Sequence, residues 1–170
     1  YAVIYTVWLK PRTPQNIVIG GAAGGTAPLI ASAAMDGHIS LGAWILFGIV
    51  FLWTPPHFWA IAIFRKREYA NAGLPMMPSV VGNQPTRWRS LAYTVALVGF
   101  TIVPVWLGYL GVLYAAAALS LGVYFTAQII RSLVVQDPRV DYRVFKHSIV
   151  YLSLLFLAML VDMSIPWGSA

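Results

Sequence analysis

Cysteine is absent from the 170 residues, so neither a disulfide nor a thiolate metal site is available to this chain. Charge is nearly absent too. Asp, Glu, Lys and Arg make up 9% of the sequence, against about 25% in a soluble globular domain, and only five residues are acidic. A water-solvated fold of this length could not clothe its surface with so few charges, so lipid is the expected solvent for most of it. Period-2 alternation of polar and apolar residues is also missing, which excludes strands in a setting where an open sheet edge finds no hydrogen-bond partner. The string Gly20-Gly21-Ala22-Ala23-Gly24-Gly25 lacks the Gly-Lys-Ser/Thr ending of a phosphate loop, so nucleotide binding is rejected. It reads as a small-residue stripe for close helix packing. No signal-peptide charge region or cleavage site opens the chain.

What is there is apolar residue in long runs: 59% of the sequence. Five stretches approach the roughly 20 residues that cross a bilayer as helix: 15–35, 41–64, 91–107, 112–133 and 147–165. Residues 1–9 are apolar but stop at Lys10, which is expected to be the tail of a sixth, truncated span. The fold class expected is therefore an all-α polytopic membrane bundle, one domain over 1–170. Two connections carry the polar chemistry, 65–90 and 134–146.

The net charge of +6 encodes sidedness here rather than nucleic-acid binding. All eleven basic residues fall in three places: Lys10 and Arg12; Arg65, Lys66, Arg67, Arg87 and Arg89; Arg131, Arg139, Arg143 and Lys146. These are alternate connections, and the intervening ones around 36–40 and 108–111 hold no Lys or Arg. The positive-inside rule puts the basic face in the cytoplasm of a cytoplasmic (inner) membrane. The 65–90 connection is far longer than the usual 4–6 residues or so, which favours a functional loop.

Three strings suggest chemistry. Arg65-Lys66-Arg67-Glu68-Tyr69 is either a topology anchor or a polyphosphate site, in which cations bind phosphate oxygens and a carboxylate holds a bridging magnesium. A single carboxylate is a weak magnesium site, and no partner acid is near in sequence. Lys10, Arg12, Thr13 and Asn16 lead into the first complete span. Thr13 is suited to capping the helix and Pro14 to its first turn, and the same residues can also face an anionic group. In Thr54-Pro55-Pro56-His57-Phe58-Trp59, two prolines remove two backbone donors inside a span. His57, placed within the span, is either a structural hydrogen-bond partner or a haem, acid/base or substrate contact. Trp88, Tyr93, Tyr142 and Phe145 read as interfacial aromatics or as lining for a lipid tail or cation.

Several strings together resemble the haem O synthases (protohaem IX farnesyltransferases) of the UbiA prenyltransferase superfamily. They are Tyr5-Thr6, Leu9-Lys10, Thr13 through Gly21, Leu52 through Ala60, Glu68-Tyr69, Ala72 through Pro78, and the closing helix from Ser148 to Asp162. The resemblance covers essentially the whole chain and implies the second half of a nine-helix bundle. It implies transfer of a farnesyl group from farnesyl diphosphate to a vinyl group of haem B, with water added, giving haem O and pyrophosphate. It further implies Mg2+ as cofactor and a multi-pass membrane setting. Haem A synthase or terminal oxidase assembly proteins are the implied protein partners, and no nucleic acid is.

On that resemblance Glu68, Lys66 and Arg65 are the catalytic candidates, with Glu68 on the metal. Lys10, Arg12, Asn16, His57 and Tyr69 are the substrate-binding candidates, and His57 is assigned to the haem side. The chain departs from the family at Glu68, where Asp is usual, at Ala27-Pro28, where Pro-Pro is usual, and at Ala31-Ser32, where Gly-Trp is common. The family's first acidic motif is not in the sequence, so this chain is expected to be inactive alone. A transporter or channel, or a non-catalytic oxidase assembly factor, are the competing readings.

Overall fold

Every regular element in residues 13–165, the part that the computed structural model describes, is a helix. Lys10 and Arg12, with the apolar run before them, lie outside the described residues. The first complete span is broken in two, α1 (Asn16–Gly24) and α2 (Ala27–Asp36). Then come α3 (Leu41–Phe64), the short α4 (Lys66–Asn71) and α5 (Met77–Val80), and α6 (Asn83–Phe100). The short α7 (Val103–Trp106), α8 (Val112–Val135) and α9 (Pro138–Ser164) complete the order. Five helical segments are long and apolar enough to cross a membrane: Asn16–Asp36, Leu41–Phe64, Asn83–Trp106, Val112–Val135 and Pro138–Ser164.

The capping chemistry follows from the sequence. At α1 it does so differently from expectation: Gln15, not Thr13, is the N-cap and makes no side-chain cap bond, and Thr13 Oγ1 accepts from the Gln15 N–H at 3.2 Å ahead of the helix. Ser40 caps α3 by accepting from the Ala43 N–H at 3.2 Å, and Gly37 ends α2 in the left-handed conformation at φ 71°. Asp137 accepts from the Arg139 N–H at 2.8 Å and Pro138 takes the first turn of α9. The cap of α8 comes from another helix. Asp162 of α9 accepts from the Gly111 N–H at 2.5 Å and the Tyr114 N–H at 3.1 Å, so its carboxylate faces the positive end of the α8 dipole.

Hydrogen bonds between elements show that helix ends gather at two levels. At one end Lys66 donates to Asn83 and Gln84 to the Leu133 carbonyl, and Arg87 meets Asp141. At the other, Asp162 holds α8 and Ser32 bonds Ser40 across the α2–α3 turn. The first level contains the basic connections and is called the basic end below.

Two helices begin earlier than the apolar runs do. α6 starts at Asn83, where the apolar run begins near 91, and α9 starts at Pro138, where it begins near 147. Both extra stretches bury polar side chains that find partners, Thr86, Arg87 and Ser90 on α6 and Asp141 on α9, so they stand as helix where the membrane-length criterion sees loop. Arg87, counted by sequence among the loop cations, is thereby carried into the bundle and is 3% exposed.

Helix α3 is the hub and packs on α1, α2, α6 and α9. A long core of Ile45, Ile49, Leu97, Tyr114, Phe125, Tyr151 and Leu155 runs between α3, α6, α8 and α9. A second, smaller one (Ile17, Trp59, Ala62, Met76, Met77) sits at the basic end, where the Met76-Met77 pair plugs α5 against α1 and α3. Close approach explains three glycines. A Cβ on Gly48 would lie 2.4 Å from a Phe100 ring carbon, one on Gly122 2.8 Å from Val98, and one on Gly21 2.9 Å from Thr54. The small-residue stripe of α1 thus packs on α3 through Gly21.

Candidate functional site

At the basic end, α3 gives way to α4 at Arg65, and the six residues of α4 lie between two different spaces. On one side is a cleft of about 690 Å³ lined by Phe64, Arg65, Lys66, Arg67, Glu68, Ala70, Asn83 and Pro138. On the other is a cavity of about 400 Å³ between α1 and α3, lined by Ile17, Gly20, Gly21, Gly24, Val50, Trp53, Thr54, Phe58, Tyr69 and Met76. The first is cationic, whereas the second has no charged side chain in its lining and is mostly apolar, with Thr54 and with Tyr69 of α4 as its hydroxyl-bearing members. The missing side chains of Gly20, Gly21 and Gly24 leave part of that volume open.

The cleft holds three cations and one carboxylate. Arg65 donates to Glu68 at 3.3 Å, one turn along the chain, with both side chains more than half exposed (52% and 68%). Such an exposed pair adds under about 1 kcal/mol, so it is easily exchanged for another anion. Lys66 donates to Asn83 Oδ1 at 3.3 Å, a neutral partner that leaves its charge uncompensated. Arg67 is exposed. The balance of charge therefore favours a polyanion, and guanidinium and ammonium donors are the groups that hold phosphate oxygens.

The cleft does not fit a magnesium ion by itself. Among the described residues no three His, Asp or Glu side chains gather, and Glu68 brings one carboxylate already paired with Arg65.

The sequence-predicted residues separate accordingly. Arg65, Lys66 and Glu68 share the cleft. Asn16 is instead buried beneath the cavity's rim, where its amide donates to Met76 Sδ at 3.6 Å, and Tyr69 lines the cavity beside Met76. Both belong to the apolar side of α4.

His57 belongs to neither space. It is 7% exposed, its Nδ1 is 2.7 Å from Ser148 Oγ, and its ring is stacked between Trp53 at 4.2 Å and Phe145 at 4.6 Å. Ser148 is itself fixed, donating to the Phe145 carbonyl at 2.7 Å while its own carbonyl accepts from Trp53 Nε1 at 2.8 Å. The imidazole thus has the structural hydrogen bond expected of it, but to α9 rather than to the proline-broken backbone.

Sequence reasoning missed the ion pair behind the cleft. Arg87 of α6 forms a two-point bond with Asp141 of α9 (3.0 and 2.5 Å), and Ser132 of α8 donates to the same carboxylate. Arg87 and Asp141 are 3% and 2% exposed. Three helices are pinned where Asn83 and Pro138 complete the cleft wall. A signal was present: Asp141, Val144, Ser148, Tyr151, Leu155, Met159 and Asp162 fall at helical spacing along one buried stripe of α9. An acid on that stripe demands a buried partner.

Comparison with known proteins agrees with this architecture. Residues 1–160 match the UbiA prenyltransferase family. Over 162 residues the chain is 51% identical to a protein named protoheme IX farnesyltransferase from Paraburkholderia xenovorans, covering 95% of this chain and 54% of that one. It is 48% identical over 167 residues to one of the same name from Alkalilimnicola ehrlichii, covering 98% and 55%. The chain therefore spans about half the length of the curated relatives it matches. A solved structure of digeranylgeranylglyceryl phosphate synthase shares the fold, with a TM-score of 0.85 at 18% identity, over 95% of this chain and 57% of that one.

Proposed function

The chain belongs to the UbiA prenyltransferase family, and on that premise we propose that it forms part of an enzyme that farnesylates haem B. The observation that carries this reading is the pairing of a cationic cleft with an apolar cavity across one short helix, α4. A prenyl diphosphate has those two chemistries in one molecule. Its diphosphate suits Arg65, Lys66 and Arg67, and its hydrocarbon tail suits the space between α1 and α3. Lys10 and Arg12 remain proposed phosphate contacts on the sequence resemblance alone.

Leaving of pyrophosphate from an allylic carbon builds negative charge on the leaving oxygens. Cations aimed at those oxygens lower the barrier because that charge is greatest in the transition state. Arg65, Lys66 and Arg67 supply that stabilisation, and Glu68 orients Arg65 until the substrate displaces it. The apolar cavity keeps water from the allylic carbon until it bonds to the haem vinyl group. The balance is haem B plus farnesyl diphosphate plus water giving haem O plus pyrophosphate. Magnesium is proposed to accompany the diphosphate, with further carboxylates needed beyond Glu68. The basic end is proposed to face the cytoplasm, as the excess of Lys and Arg there directs.

The test is conversion of haem B to haem O in membranes carrying the whole enzyme of which this chain is proposed to form part, with farnesyl diphosphate and magnesium supplied. Haem O is expected with the native protein, and loss of at least about tenfold in rate with Lys66→Ala, which removes one charge-assisted contact. Haem O formation unaffected by Lys66→Ala and Glu68→Ala together would remove the cleft from the reaction. A membrane in which neither haem B nor the diphosphate is consumed would favour a non-catalytic role.

A further inference from the structure

Five rings along the seam between α3 and α9 form one continuous stack. Trp53 stacks on His57 at 4.2 Å, His57 on Phe145 at 4.6 Å, Phe145 on Tyr142 at 6.1 Å and Tyr142 on Phe64 at 4.7 Å, with interplanar angles of 17–28°. The column is rooted by the Ser148 bonds to Trp53 and His57, and Lys146 lies 5.2 Å above the Tyr142 ring. Its ends reach both spaces of the site. Trp53 lines the apolar cavity and Phe64 the cationic cleft, about 16 Å apart along α3 at helical rise. It is not sealed in the core: Phe64 is 41% exposed, and Trp53, Tyr142 and Phe145 are half-buried.

The direction of the rings decides what the column can bind. Because they stack on one another, their faces are used internally and the open side presents ring edges. A cation is drawn to an aromatic face, and on this column such a place, over Tyr142, is already occupied by Lys146. Ring edges carry the positive end of the quadrupole and pack edge-to-face against a flat π system. Beside them Lys146 and Arg143 are exposed cations on the same turn of α9, free to meet carboxylates.

From these features we propose that the Trp53–Phe64 column is the docking wall for the tetrapyrrole acceptor, its face against Tyr142 and Phe145 and a propionate carboxylate on Lys146. The inference rests on the farnesyl-transfer reading and adds the place where the acceptor sits. His57 then acts as a ring of the wall, held by Ser148. The column touches the cavity through Trp53, which brings acceptor and prenyl chain together at one residue.

The experiment is titration of the protein in lipid nanodiscs with haem B, with haem B dimethyl ester and with farnesyl diphosphate, each on the native protein and on Lys146→Ala, Tyr142→Leu and Phe145→Leu. Lys146→Ala is expected to weaken haem B about tenfold and leave the ester, which lacks the carboxylate charge, within about twofold. The two leucine variants are expected to weaken both tetrapyrroles about tenfold while farnesyl diphosphate binding stays unchanged. Unchanged tetrapyrrole affinity in all three variants would overturn the proposal and leave the transferase reading standing. Equal losses for haem B and farnesyl diphosphate would also overturn it, since the column would then be only a support of the fold. A native protein that binds farnesyl diphosphate but no tetrapyrrole would overturn the haem reading itself.

Discussion

Charge inside an apolar bundle survives only when it is paired, and Arg87 with Asp141 shows the consequence most sharply. Removing one partner strands the other in a medium that cannot solvate it. Arg87→Leu or Asp141→Leu is therefore expected to destabilise the bundle by about 3–5 kcal/mol, read as loss of thermal stability in detergent. The double replacement Arg87→Met with Asp141→Leu is expected to regain most of that loss, because no charge is left unpaired. A double variant no more stable than the singles would mean the residues matter separately. Lys66, by contrast, is partly exposed on a neutral partner, so Lys66→Ala is expected to change stability by less than about 0.5 kcal/mol while weakening anion binding. At this scale the sequence was only partly legible. The Arg65 to Glu68 cluster stood out as a run of charge, whereas Arg87 counted as one more loop cation and its partner Asp141 lies 54 positions away.

At the scale of elements, helix existence was readable and helix extent was not. Apolar run length sees only the part of a helix that lipid surrounds, so it stops short of the polar first turns of α6 and α9. Those turns are the ones that build the cleft, through Asn83 and Pro138. The division of the first span into α1 and α2 was equally invisible, since Gly24-Gly25 reads as a continuation of the packing stripe in which Gly21 meets Thr54 and Gly25 meets Phe47. Packing at glycines gives a direct check on the helix seams. Gly48→Ala places a methyl group within reach of Phe100 on α6 and is expected to cost about 1–3 kcal/mol. Gly24→Ala meets no atom within 4 Å and is expected to be neutral or slightly stabilising, both measured by the same thermal unfolding. The α8 cap provides a second check. Asp162→Ala removes the acceptor for the Gly111 and Tyr114 N–H groups and is expected to cost about 0.5–2 kcal/mol.

For the whole molecule, the distribution of Lys and Arg settled which helix ends lie together, and the hydrogen bonds between Lys66 and Asn83 and between Arg87 and Asp141 follow that sorting. What the distribution could not show is that the basic end is divided by α4 into a charged cleft and an apolar cavity. That division depends on which faces of a six-residue helix point each way, a matter of tertiary packing. In the proposed function it is also what links fold to chemistry, because a prenyl diphosphate would straddle α4. The absence of cysteine makes the arrangement directly measurable. A single thiol placed by Ala70→Cys lines the cleft, and one placed by Met35→Cys marks the exposed opposite end. In native membranes farnesyl diphosphate is expected to slow labelling of the thiol at position 70 by about tenfold or more, consistent with a tenfold shift per about 1.4 kcal/mol of contact. Farnesol is expected to give no such protection, and position 35 none with either compound. Labelling at position 70 that proceeds at the same rate with and without farnesyl diphosphate would contradict a diphosphate site at α4.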